Sequence, residues 1–316
     1  MYSYHQIFKQ ALKIAWENKM LWFFGLFAAL LGNNNGLEMI SGSIGFSGQG
    51  IFASFVQTLT GTGLFTIGGL IGFGRSVVTH PVYVFVILIG FLLGIAVSLF
   101  VIWLCVTSLV GLIAKSIAFS KNKTLDWRQA FTLGIARFWP VLGIMVLVRL
   151  AGWLIILGME MFSWLMKFPG AIFAFIIVFD IFLTLSVILF FIATLAVCGV
   201  VLKNWSFSDS LKQAWRLFKN NWLMCLELAI VLFLINSLVN SFLWFFITWI
   251  LIYALAYFST FLFGYGLVSL ATLVFYVIIQ IILAIFYWAT WALVFEIITG
   301  KKAVLNSWLQ RRLKKQ

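Results

Sequence analysis

The chain has 316 residues, of which 64% are hydrophobic and only 9% charged, with a formal net charge of +13. About a quarter of the residues of a soluble domain carry charge, so a water-soluble fold is excluded. Uncharged blocks at 82–114 and 228–295 exceed the roughly 20 apolar residues that one transmembrane helix needs. Nowhere do segments of about ten residues alternate in polarity, as a membrane barrel requires.

A basic phrase occurs three times in front of apolar segments: FKQALKIAWENK from Phe8, WRQAFTLGIARF from Trp127 and LKQAWRLFKNNW from Leu211. In each, an apolar residue is followed by Lys or Arg, Gln and Ala, and a polar residue (Asn18, Arg137, Asn221) stands seven positions after the Ala. The pattern predicts an all-α polytopic membrane protein of about six transmembrane helices, built as three pseudo-repeats over 3–114, 124–202 and 206–299 within one membrane domain, 1–316. Each repeat is expected to be an interfacial amphipathic helix followed by a transmembrane hairpin.

In chain order, the first helix opens with Ser3 and Gln6 at capping-box spacing and sets Ile7, Phe8, Leu12, Ala15 and Trp16 against Lys9, Lys13 and Lys19. Residues 20–32 are short for a crossing; either they cross and the Gly-rich stretch containing 51–73 is external or re-entrant, or the two exchange roles. Spans follow at 82–114, 140–161, 171–202, 223–253 and 267–298, with Ser206 and Asp209 as a second capping pair before the third phrase. The tail, 303–316, reads as a fourth surface helix. Fifteen Trp and eight Tyr, many near span ends, fit an aromatic belt.

The positions of the basic residues decide their partner. All but three of the 21 fall in segments that an even number of crossings places on one side, which the positive-inside rule makes cytoplasmic, together with both termini. Lys9, Lys13, Arg128, Lys212, Arg216, Arg311 and Arg312 are the interfacial candidates for anionic headgroups. Nucleic acid is not an expected partner; other proteins or further copies of the chain are.

Ionisable residues inside a bilayer are costly and point to function. Arg149 and Asp180 both come to roughly mid-membrane depth at ~1.5 Å per residue, and an ion pair between them is expected, either locking a hairpin or forming part of a gate. Asn236, Asn240 and Gln280 fall in the middles of their spans, where side-chain amides join helices or line a polar path. Glu227 and Glu296 are expected to meet Lys219, Lys301 or Lys302. Cys105, Cys198 and Cys225 have no CxxC spacing and read as small buried hydrophobes. GGLIGFG from Gly68 lacks the strand and helix of a phosphate loop, and His5 and His80 have no ligand cluster around them. No metal, cofactor or catalytic residue is expected.

The repeated phrase, with ENKMLWFFGLFAALLG after its first copy, resembles a group of uncharacterised prokaryotic membrane proteins labelled as a glycerophosphodiester phosphodiesterase membrane domain. The resemblance implies a plasma-membrane protein of six or so helices. The catalytic barrel to which such domains are fused has no counterpart among the carboxylates and histidines here, so no enzymatic residue carries over. Two functions follow as expectations: a non-catalytic protein that organises lipid or scaffolds membrane assemblies, and, as the alternative, a transporter or channel for a lipid or small solute.

Overall fold

The computed structural model describes residues 4–30, 79, 81–123, 125–164, 171–258 and 262–313. Expectations on Ser3, on 51–73 and the glycine motif within it, on His80 and on the last three residues lie outside these. Among the described residues there are eight helices and no strand: α1 (Tyr4–Glu17), α2 (Met20–Leu30), α3 (Pro81–Ser120), α4 (Trp127–Ala136), α5 (Phe138–Trp164), α6 (Ala171–Lys203), α7 (Phe207–Phe258) and α8 (Leu262–Leu313). Five are long and apolar enough to cross a bilayer, over Val84–Ser120, Phe138–Ile155, Ile176–Lys203, Phe207–Ala254 and Gly266–Gly300. The fold is all-α, and its apolar helices are those of a multi-pass membrane protein.

The 11 described residues of α2 rise about 16 Å, roughly half of a hydrocarbon core. One boundary differs from expectation. The tail does not separate: α8 runs unbroken to Leu313, since Gly300 remains helical and no proline follows it.

Residues 32–104 form one compact unit. Its described part is the first half of α3, where Phe85, Phe91, Leu93 and Phe100 are exposed and a methyl group placed on Gly90 or Gly94 would meet nothing within 4 Å. Residues 1–31 and 105–316 form the other unit. Its core is built at one end of three long helices, from Cys105 to Ile117 on α3, Phe191 to Val201 on α6 and Ile281 to Ile298 on α8.

The three phrases fold alike locally. Ala11, Ala130 and Ala214 are each fully buried, while Lys9, Arg128 and Lys212, two residues earlier, are exposed. A helix places residues two apart on opposite sides, so one side of each segment packs while the other carries charge. Each helix breaks at the polar residue seven positions after the Ala. Asn18 lies between α1 and α2 and Arg137 between α4 and α5; Asn221 interrupts α7 with φ −137° and ψ 29°. Its side-chain amide donates to the Leu217 carbonyl at 3.1 Å, which satisfies an acceptor that the kink exposes.

Close backbone approach seats these segments. At Gly134 on α4, a methyl group would fall 2.5 Å from the Thr107 carbonyl oxygen of α3. On α2, Phe24 fits against Gly111 of α3 and Gly25 against Ile285 of α8, so α2 lies between the two. The α3–α4 connection turns at Asn122 (φ 54°) and the α6–α7 connection at Asn204 (φ 60°), left-handed positions that Asn tolerates better than most residues. A capping box follows the first turn, Asp126 with Gln129, and Ser206 with Asp209 makes a related contact at 2.7 Å after the second.

Replacing Gly134 by Ala should lower the thermal midpoint in detergent, at a cost of about 1–3 kcal/mol, because the clash is with backbone. Gly94→Ala should hold or raise it, since its surroundings are open and Ala favours a helix by about 1 kcal/mol.

Candidate functional site

Asn236 and Asn240 stand one turn apart on α7 and so share a face. The Asn240 amide nitrogen donates to the Asn236 side-chain oxygen at 3.0 Å and to its carbonyl at 2.9 Å. Gln280 on α8 donates in turn to the Asn240 side-chain oxygen at 2.6 Å. The three amides expected as polar candidates thus form one chain of hydrogen bonds that ties α7 to α8. Inside hydrocarbon no water replaces a missing partner, which favours such a chain. It carries no charge, and its chemistry is that of a neutral clasp.

Arg149 and Asp180 are not joined. Two contacts set the register of the antiparallel pair α5 and α6: Gly158 faces the Phe182 ring, and the Arg137 guanidinium donates to the Val200 carbonyl. In that register Arg149 is level with about residue 190, some ten residues or ~15 Å along the axis from Asp180. Both side chains are exposed, whereas α5 turns Val141, Ile144 and Ile155 inward. The difference in height separates the two residues expected to pair. Counted from Arg137, Arg149 lies ~18 Å up its helix, while Asp180 lies ~30 Å above Val200, close to the full depth of a hydrocarbon core.

The basic end of the larger unit is more informative. Lys13 is exposed and lies 3.9 Å from Glu17, a pair of small energetic consequence in water. Arg216 is exposed beside Trp215, and Trp16, Trp139 and Trp222 are exposed at or next to the three breaks. Arg311 and Arg312 fall on the last turns of α8. Glu296 pairs with Lys121 at the end of α3, so this bridge joins distant parts of the chain; the side chains of Lys301 and Lys302, the partners expected for it, lie outside the described ones. Gln10 of α1 donates to the Ser120 hydroxyl at 3.0 Å, close to the same place. Cys105, Cys198 and Cys225 are buried free thiols, and no three His, Cys, Asp or Glu side chains among the described residues come together to hold a metal.

Two cations that the sequence places between spans are not fully exposed: Arg137 is half-buried and Lys115 is buried. Burial pushes the Arg137 guanidinium down from its ordinary pKa, yet it stays cationic and donates to the carbonyl of buried Val200 in the last turn of α6. Lys115 is only 6% exposed, with its ammonium 3.6 Å from the Met20 sulfur. Neither position has a local signal: each follows an apolar or helical run as any interfacial cation would. The Asp126–Gln129 box did have one, the D-x-x-Q spacing.

Gln280→Leu should cost roughly 1 kcal/mol in unfolding from mixed micelles, and the Asn240→Leu, Gln280→Leu double variant less than the sum of the single changes. Arg149→Met and Asp180→Asn should instead be additive within about 0.5 kcal/mol; a larger coupling energy would restore the pair.

No family model matches this chain, and neither the curated proteins nor the solved structures hold a match to it.

Proposed function

We propose that this chain is a non-catalytic protein of a prokaryotic plasma membrane that gathers anionic lipid, and scaffolds assemblies upon it, through three repeats of a basic interfacial helix, with both termini cytoplasmic. The observation that carries the reading is the common placement of Lys9, Arg128 and Lys212, each exposed two residues before a fully buried alanine. Exposed tryptophans accompany each copy: Trp16 on α1, Trp127 and Trp139 around α4, and Trp215 and Trp222 around the start of α7. Indole rings favour the headgroup level, and a cation there attracts anionic lipid by about 1 kcal/mol. The packed side of each helix is committed to the bundle, which leaves the cationic side for lipid or for a partner protein.

A second reading, a carrier of a lipid or small solute, draws on the amide chain of Asn236, Asn240 and Gln280. The mutual satisfaction of these groups favours a structural role for them, and the carrier reading predicts solute flux in proteoliposomes that Asn240→Leu abolishes.

The lipid reading is tested with the full chain in phosphatidylcholine vesicles containing labelled phosphatidylglycerol. Each of Lys9→Gln, Arg128→Gln and Lys212→Gln should lower enrichment of the anionic lipid about fivefold at unchanged thermal stability. An unaltered preference in the triple variant overturns the reading.

A further inference from the structure

Three polar side chains meet inside the aromatic core of the larger unit. Tyr287 and Trp291 stand one turn apart on α8 and share a face, with ring centres 6.4 Å apart. Trp291 is fully buried and lies against Phe190 and Phe191 of α6 at 6.5 and 5.9 Å. Thr194, one turn beyond Phe190 and 3% exposed, gives its hydroxyl proton to the Phe190 carbonyl at 2.9 Å. Its oxygen can still accept.

The groups that act on the Tyr287 hydroxyl are the Trp291 indole, the Thr194 side chain and Cys198. None of them reaches bonding geometry: among the described residues the Tyr287 oxygen and the Trp291 Nε1, both shut off from solvent, have no hydrogen-bond partner. An unmet donor in such a core is strongly unfavourable, because no bulk water can replace the missing acceptor. Two donors and an acceptor that are close enough to influence one another, yet too far apart to bond, are the arrangement that a bridging water satisfies. Its oxygen would accept from Tyr287 and Trp291 while one hydrogen goes to Thr194, which falls within the two to four partners usual for a buried water. With Phe190, Phe191 and Trp288 packed against the two rings, the occupant is small.

We infer that the Tyr287 hydroxyl, the Trp291 indole N–H and the Thr194 oxygen bind one structural water that joins α8 to α6. Phe191 also stacks on Phe218 at 5.3 Å, so the water adjoins the seat of the third basic segment. It is a structural ligand, and it does not depend on the lipid reading of the basic end.

The test uses the full chain in lipid nanodiscs with isotope-labelled tryptophan. The Trp291 indole signal, identified by its loss in Trp291→Phe, should show cross-relaxation with water of the sign that marks a bound molecule and not proton exchange. Its absence overturns the site. Tyr287→Phe should lower the thermal midpoint by about 2–4 °C, because it takes a partner from a satisfied network. A hydroxyl with no water would respond in the opposite sense, so an unchanged or raised midpoint also overturns it. Thr194→Val should lower the midpoint as well, and the double variant by less than the sum of the two shifts; strict additivity removes the bridge.

Discussion

The larger unit depends on how closely short helices can lie against long ones. In hydrocarbon, apolar side chains gain little from meeting each other rather than lipid, so packing contacts between backbones carry the association. Alanine at 11, 130 and 214 and glycine at 25 and 134 remove the side chain where contact occurs. At Gly134 the approach to Thr107 is so near that any side chain would force the backbone to shift. Because the small residues fix one side of each segment against the bundle, the opposite side, with its Lys or Arg, has no choice but to face outward.

Charge is then divided by depth into distinct tasks. Exposed cations stand at the outer side of the basic end; the Lys121–Glu296 bridge and the Arg137 contact with Val200 hold helix ends together; Lys115 is enclosed. Farther along, polar function passes to neutral amides. Desolvating an amide costs far less than desolvating an ion, and two of these amides lie on α7 and the third on α8, so the clasp forms without a buried charge.

What could be read from the residues was largely local. The polar position seven after each alanine marks a break because the same short phrase sets both the packed stripe and its end. Asn236, Asn240 and Gln280 were recognisable because amides in uncharged blocks have few partners other than one another. Register was not legible. The level of Arg149 against Asp180 follows from Gly158 meeting Phe182, a contact between positions of two nearly uniform apolar helices whose sequences contain no marker of height. The same holds for Lys121 with Glu296, which are far apart in the chain, and for Lys115, whose ammonium meets Met20 of α2.

Gly25 owes part of its packing to Ile281 and Ile285, and Phe8 lies 6.0 Å from the Phe286 ring. During translation those partners arrive roughly 260 codons later, a delay of about 13–50 s at ordinary elongation rates. Throughout that interval the opening helices have only their α3 contacts, Phe24 against Gly111 and Gln10 with Ser120, and lack those from α8. The ribosome therefore delivers the keystone of the N-terminal segment last, and nascent chains truncated before α8 present an apolar helix to whichever insertion factor or chaperone attends them.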